Sequence, residues 1–292
     1  MKVSDYRVKS SKDFDLDNYD SVLDIGLTED EYKREKRKFL KQLSEEQFKL
    51  YASSKYAVLV VLQGMDASGK DGIIKHVLSN LNTQGTEVHS FKVPSELELS
   101  HDFLWRHFKK LPPKGKIGIF NRSYYENVLV TKVHPEIILN ENIPNINKVS
   151  DIDNKFWKQR YRQINNFERY LYQNGTKIIK IFLNISNEQQ SVRLLSRINE
   201  REKNWKFSKG DFEERKYWDD YKMAFSEAIK NTSKKYAPWY IIPGDDKRYA
   251  RLLVAKMLYS ELRKLKLKVP KPTAKQLVDL EEYKDFLVKK SK

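Results

Sequence analysis

The run Tyr56-Ala57-Val58-Leu59-Val60-Val61-Leu62, followed after Gln63 by Gly64-Met65-Asp66-Ala67-Ser68-Gly69-Lys70, decides the fold. The first seven residues are apolar and β-branched with no polar alternation, which is how a central parallel strand buried on both faces reads. The second set fits G-x-x-x-x-G-K, and Ile73–Leu81 beyond it carries a helical pattern. Strand, glycine-bearing loop from Gly64 to Gly72, and helix, in that order, give a phosphate loop its required context.

The chemistry of such a loop is direct. Glycine lets backbone N–H groups turn inward onto phosphate oxygens, and the helix behind them adds its positive end. Lys70 supplies a point charge for a phosphoryl group. Gly64, Met65, Ala67, Ser68, Gly69, Asp71 and Gly72 are thus assigned to phosphate binding. Asp71 stands where the usual motif has a Ser or Thr that ligates Mg²⁺. Asp66 adds a second acid inside the loop. A carboxylate there would repel phosphates unless a divalent cation lay between, so Asp66 reads as a metal ligand. The bland alternative is a glycine turn with an incidental lysine.

Working outward, strands are expected over Glu87–Phe91, Lys116–Phe120, Lys177–Leu183 and Trp239–Ile242. Between them helices are expected at 28–54, where Thr28 and Glu31 have capping-box spacing, and at His101–Lys110, Asn154–Asn174, Glu188–Lys203, Asp211–Lys230 and Lys247–Lys266. Alternating strands and helices imply an α/β sandwich with a mostly parallel central sheet. Residues 1–27, with Asp13, Asp15, Asp17, Asp20 and Asp24, read as an arm laid on the domain. Residues 28–266 form that domain, with a helical lid at about 188–215, and 267–292 form a basic tail with a short helix over Lys275–Val288.

The 292 residues carry 56 Lys+Arg against 40 Asp+Glu, a net charge of +16 that points to polyanions: nucleic acid, a membrane surface or a phosphate-rich small substrate. With no Cys, disulfides, thiolate zinc sites and Cys nucleophiles are excluded, which fits a reducing cytoplasm. Ala57–Leu62 is the longest apolar run, far short of a membrane span, and no secretory signal is visible. The five His form no H-x-x-x-H pair, and there is no G-x-S-x-G, so neither a metallohydrolase nor a Ser hydrolase is supported.

A second constellation is Asn121-Arg122-Ser123-Tyr124-Tyr125-Glu126, at the expected end of the third strand, where open α/β sheets line their ligand crevice. Arg122 offers a fork suited to phosphate oxygens. Asn121 is a neutral ligand at best, so Glu126 becomes the candidate second carboxylate for a metal. A surface turn with a salt bridge is the bland reading. Arg193, Arg197 and Arg201 recur every four residues and so share a helix face, with Lys206 following. These cations read either as a solvated face or as a lid closing over phosphates.

Together these segments resemble the polyphosphate kinase 2 family over roughly residues 30–265. The resemblance rests on Gly64–Gly72, Phe91-Lys92-Val93-Pro94-Ser95, His101–Arg106, Gly118–Glu126, Asn204–Ser208 with Trp218–Tyr221, Ala237-Pro238-Trp239 and Pro243–Lys247. It implies a phosphate-loop kinase-like, three-layer fold of thymidylate-kinase type with a helical lid. It also implies transfer of the terminal phosphoryl of inorganic polyphosphate to nucleoside mono- or diphosphates (AMP/ADP, with GMP/GDP as further acceptors), reversibly and with Mg²⁺ or Mn²⁺. Asn121 and the Asn127–Val130 continuation resemble the subgroup that phosphorylates both AMP and ADP. On this reading Asp66 serves the metal, Lys70 and Arg122 neutralise the transferring group, and Arg193 and Arg197 close from the lid. Asn121, Tyr125, Glu126 and Lys206 join the binding site. A homo-oligomer, dimer or tetramer, is implied, with no membrane. Two alternatives remain: an ATP-dependent nucleotide kinase of the same fold, which Asp71 argues against, and an electrostatic nucleic-acid binder, for which no recognition motif is present.

Overall fold

A computed structural model describes residues 2–9 and 14–290; Asp13 of the arm lies outside them. Five strands, β1 (Ala57–Gln63), β2 (Thr86–Ser90), β3 (Ile117–Asn121), β4 (Thr176–Asn184) and β5 (Trp239–Pro243), form one sheet in the order β2-β3-β1-β4-β5. Every strand pair is parallel. The expected mostly parallel sheet is therefore wholly parallel within its strands. Two isolated antiparallel bridges lie outside these strand pairs, Arg7 with Tyr240 and Lys234 with Ala237.

The apolar run that opened the sequence lies at the centre, all seven residues of β1 buried. Its register sets Val58 between Ile117 of β3 and Lys177 of β4. Val58, Val60 and Leu62 face one core with α1 (Glu29–Ser53), α2 (Lys70–His76) and α10 (Lys247–Arg263). Leu59 and Val61 face a second core with α6 (Asn154–Gln173) and α9 (Trp218–Thr232). Helices on both faces remove any need for polar alternation in the strand. They also make the three layers expected.

The remaining helices are α3 (Glu96–Leu99), α4 (Trp105–Phe108), α5 (Val130–Val133), α7 (Asn187–Asn199), α8 (Lys209–Glu214) and α11 (Ala274–Lys290). The capping box forms: Thr28 N–H donates to Glu31 Oε2 at 2.9 Å and Glu31 N–H to Thr28 Oγ1 at 3.3 Å. Three expected helices are corrected. His101–Lys110 shrinks to the single turn α4, because Asp102 Oδ1 captures the Leu104 N–H in a turn of its own. Glu188–Lys203 stops at Asn199, where Glu200 is extended, and Arg201 starts a 3₁₀ turn. Asp211–Lys230 breaks at Arg215–Tyr217 into α8 and α9. The tail helix runs slightly longer than read, as α11.

Described residues of the N-terminal segment bond to the sheet and the loops beside it. Val8 donates to Trp239 O at 3.0 Å, Asn184 Nδ2 to Tyr19 O at 2.7 Å, and Ser21 Oγ to Asp245 Oδ2 at 2.9 Å. Buried Val8, Phe14 and Leu16 anchor it. No helix among the described residues is long and apolar enough to cross a membrane.

Candidate active site

The loop between β1 and α2 opens at the C-terminal edge of the sheet, beside the ends of β3 and β4. Gly64 has φ +155°, and a Cβ there would meet Ser68 Oγ at 2.7 Å and Leu183 O at 3.0 Å. Gly69 (φ +104°) caps α2, so the helix begins at Lys70 itself, three residues before the sequence pattern suggested. Lys70 Nζ lies across the loop, donating to Gly64 O at 2.6 Å and Met65 O at 3.1 Å. Burial first, and the nearby Arg122 charge next, push its ammonium below the usual lysine range.

At the end of β3, Arg122 takes a left-handed backbone (φ +62°), as does Ala67 in the loop (φ +59°). Non-glycine residues held there are strained by order 1–3 kcal/mol each and cluster at functional sites. The turn aims the Arg122 guanidinium at the loop. Its Nη2 donates to Asp66 Oδ1 at 2.6 Å, and its Nη1 reaches Glu126 Oε2 at 3.5 Å. Burial raises the Glu126 carboxyl, while Arg122 and Lys70 pull it back. Asn121 turns the other way, donating from Nδ2 to Asp71 Oδ1 at 3.0 Å. Ordinarily a strand-end Asp and a loop Ser or Thr share the metal. Here the acid sits in the loop and the neutral group on the strand.

Tyr125 is not at the ligand surface. It is fully buried beneath the turn, its hydroxyl donating to Glu168 Oε1 at 2.9 Å. Lys180, in the middle of β4, donates to Glu168 Oε2 at 2.7 Å and to Thr232 O at 2.8 Å. Tyr125 is thus an anchor for the segment that carries Arg122 and Glu126, which corrects its reading as a binding residue.

The lid arginines part company. Arg193 is buried, with Nη1 donating to Ala67 O (2.9 Å) and Ser68 O (2.8 Å) and Nη2 to Gly244 O (2.5 Å) and Asp245 O (3.1 Å). It clamps the phosphate loop to the loop after β5 and does not project from an open lid face. Arg197 pairs with Asp211 and donates to Lys206 O at 3.3 Å. Arg201 leaves the helical face because α7 has already ended. Lys206 is exposed, its ammonium 5.1 Å from the Trp205 ring.

Two pockets meet at Arg122, Glu126 and Val130. One runs between the loop and helices α7 to α9, reaching Gln190, Asp211, Arg215 and Tyr221. The other, about 160 Å³, opens between the ends of β2 and β3, with Phe91, Phe103 and Arg106 in its lining. Sequence reading missed Gln190 and Arg215. Gln190 Nε2 donates to Asp66 O at 3.0 Å, and Arg215 Nη1 donates to Gln190 Oε1 at 2.5 Å. These two bonds tie α7 and the turn at Arg215 to the loop. No local signal marks Arg215, which sits in the charged run Glu213-Glu214-Arg215-Lys216.

Among the described residues no cluster of three His, Cys, Asp or Glu side chains could cage a metal. Mg²⁺ does not require one, because it is usually held by one or two carboxylates together with substrate phosphates. Asp66 and Glu126, the two carboxylates that the Arg122 guanidinium reaches, fit that donor set.

The model of the family polyphosphate kinase 2 matches residues 26–270. An ADP-polyphosphate phosphotransferase of Rhodopseudomonas palustris is 45% identical over 290 residues, spanning 99% of this chain and 99% of its own. An AMP/ADP-polyphosphate phosphotransferase of Meiothermus ruber is 43% identical over 242 residues, covering 82% and 85% of the two chains. The crystal structure of polyphosphate kinase 2 from Arthrobacter aurescens superposes with a TM-score of 0.85 at 37% identity, over 96% of this chain and 97% of that one. With its phosphate loop, its β3 turn and its sheet order all in place, the chain belongs to the polyphosphate kinase 2 family.

Proposed function

We propose that this enzyme transfers the terminal phosphoryl group of inorganic polyphosphate to AMP and ADP, with GMP and GDP as further acceptors. The observation that carries the assignment is the position of Arg122, where a phosphate-loop pocket and an aromatic-lined pocket meet. The donor end lies on the loop, against its N–H groups and Lys70. The acceptor nucleotide enters between β2 and β3, its base against Phe91 and Phe103 and its phosphate toward Arg122.

The acceptor is already an anionic phosphate oxygen, so no strong general base is required. Catalysis then rests on in-line placement and on neutralising charge. Lys70 and Arg122 supply positive charge at the reacting group. Arg193 fixes the loop backbone, and Arg197 closes from the lid side. Asp66, with Glu126 as the second carboxylate, would hold Mg²⁺ or Mn²⁺; when bound, the ion offsets phosphate charge and aligns donor and acceptor. The reaction is reversible by mass action, and the working form is a homo-oligomer.

The test supplies purified protein and Mg²⁺ with polyphosphate and AMP, ADP, GMP or GDP, and separates products by chromatography. Formation of the corresponding di- and triphosphates is expected. Turnover from ATP with none from polyphosphate would sink the reading.

A further inference from the structure

α11 lies beyond residue 270, where the matched family region ends. Pro270 and Pro272 precede it, and a capping box starts it: Thr273 N–H donates to Gln276 Oε1 at 2.8 Å and Gln276 N–H to Thr273 Oγ1 at 3.3 Å. Leu277, Leu280 and Leu287 recur at coiled-coil spacing, with Tyr283 and Val288 to either side of them. All five are more than half exposed. Lys284 falls inside this stripe and turns its ammonium aside to Glu281 at 3.2 Å. A 17-residue helix is marginal alone in water and draws its stability from packing its apolar face. A contiguous exposed stripe of this kind marks an interaction surface.

Charge decides the occupant. Residues 274–282 carry Lys275 against Asp279, Glu281 and Glu282, a net −2, and residues 283–290 carry Lys284, Lys289 and Lys290 against Asp285, a net +2. Two copies of the helix laid side by side in the same direction set like halves together. Laid antiparallel about a twofold axis near residue 282, each negative half meets a positive one. The same axis brings Leu277 opposite Leu287 of the second copy. It also lays the apolar stem of Lys284 on Leu280 and sets Glu281 beside the Lys284 ammonium of the second copy. The opposed helix dipoles favour this direction too.

We propose that α11 is a self-association helix, which pairs antiparallel with α11 of a second copy of this chain. The proposal rests on the homo-oligomer reading above and names the surface that makes one of its contacts. A lipid surface fits less well. An interfacial helix draws on a cationic polar face, and α11 carries four Lys against four Asp or Glu, a net charge of zero.

The test compares the full chain with its Leu277→Glu/Leu280→Glu double variant by sedimentation equilibrium, with a thermal melt to show that the variant is folded. The particle mass should fall to half in the variant. An unchanged mass would overturn the proposal and leave the homo-oligomer reading standing. A wild type that sediments as a monomer would defeat that reading itself, a distinguishable failure. Because the chain has no Cys, single cysteines report the direction of pairing without interference. Across the proposed axis residue 283 lies about 3 Å along the helix from its own copy and residue 277 about 15 Å from its own. Tyr283→Cys should therefore form a disulfide-linked dimer under mild oxidation, and Leu277→Cys should not. The reverse preference, or cross-linking of neither, would overturn the antiparallel pair. Binding to anionic phospholipid vesicles that the double variant loses while its mass stays unchanged would reassign the stripe to a membrane surface.

Discussion

Arg122 Nη2 and Asp66 Oδ1 lie 2.6 Å apart, so one guanidinium links the phosphate loop to the end of β3. Replacing the acid by its neutral isostere, Asp66→Asn, keeps the shape and removes the charge. We expect kcat to fall by at least about a hundredfold, the scale seen when one preorganised charge-stabilising group is lost. The thermal melt should move by no more than about the few degrees expected of a change under 1 kcal/mol. Lys70→Ala should behave alike. Product chromatography and a melt on the same preparations check both; activity surviving either substitution removes that residue from the reacting centre.

Arg193 and Arg197 look equivalent in sequence but should fail differently. Arg193→Ala strips donors from four backbone carbonyls and should destabilise the protein by about 3 kcal/mol, the upper range for charged hydrogen bonds. Arg197 makes a partly exposed pair with Asp211, so Arg197→Ala should change stability by less than about 1 kcal/mol and lower kcat. Urea unfolding beside initial rates separates the two. A wild-type unfolding midpoint for Arg193→Ala would contradict the clamp.

Behind the β3 turn, Lys180 and Glu168 are both wholly buried and 2.7 Å apart. Lys180→Met leaves an uncompensated carboxylate and should cost about 3–5 kcal/mol. Adding Glu168→Leu should recover much of that loss. Urea melts of the two single variants and the double complete the cycle; additive losses would show that the pair is not coupled.

Glu261 predicts an acid limb. Burial alone would raise its carboxyl, but the Lys177 ammonium at 2.9 Å and hydrogen bonds from Lys264 and Tyr240 hold it at about 2 against an ordinary 4.5. Folding therefore makes this group bind protons less readily. Its contribution, about 3 kcal/mol, is fully present above pH 4.5 and is lost as pH falls through about 2. Glu261→Gln should be less stable at neutral pH and show a flatter decline in acid. Unfolding free energies measured across pH 2–7 would show the same slope in both proteins if the assignment were wrong.

The architecture was readable because burial on two faces leaves a plain mark. β1 could be nothing but an inner strand, and the glycines after it fixed the loop. Helix ends were less legible, since Asp102 and Glu200 stop helices through local turns that periodicity does not register. At the site, Asp66, Lys70, Arg122 and Glu126 do come together. Spacing could not reveal that Arg193 points inward, because a regular arginine row looks the same whether its partners are carbonyls or water. Tyr125 misled for a related reason. Its neighbours Arg122 and Glu126 face the pocket, while its own ring packs 4.8 Å from Trp239 in the core.

The N-terminal arm has a consequence for assembly. By bridging Arg7 to Tyr240 it covers the outer margin of β5, leaving β2 as the sheet's open border among the described residues. There Glu87 is paired with Lys116 at 2.6 Å and His89 lies beside it, so charge guards the unpaired backbone. Continuing the sheet into a neighbouring molecule would strip water from that pair. The open border is thereby protected against strand-by-strand polymerisation.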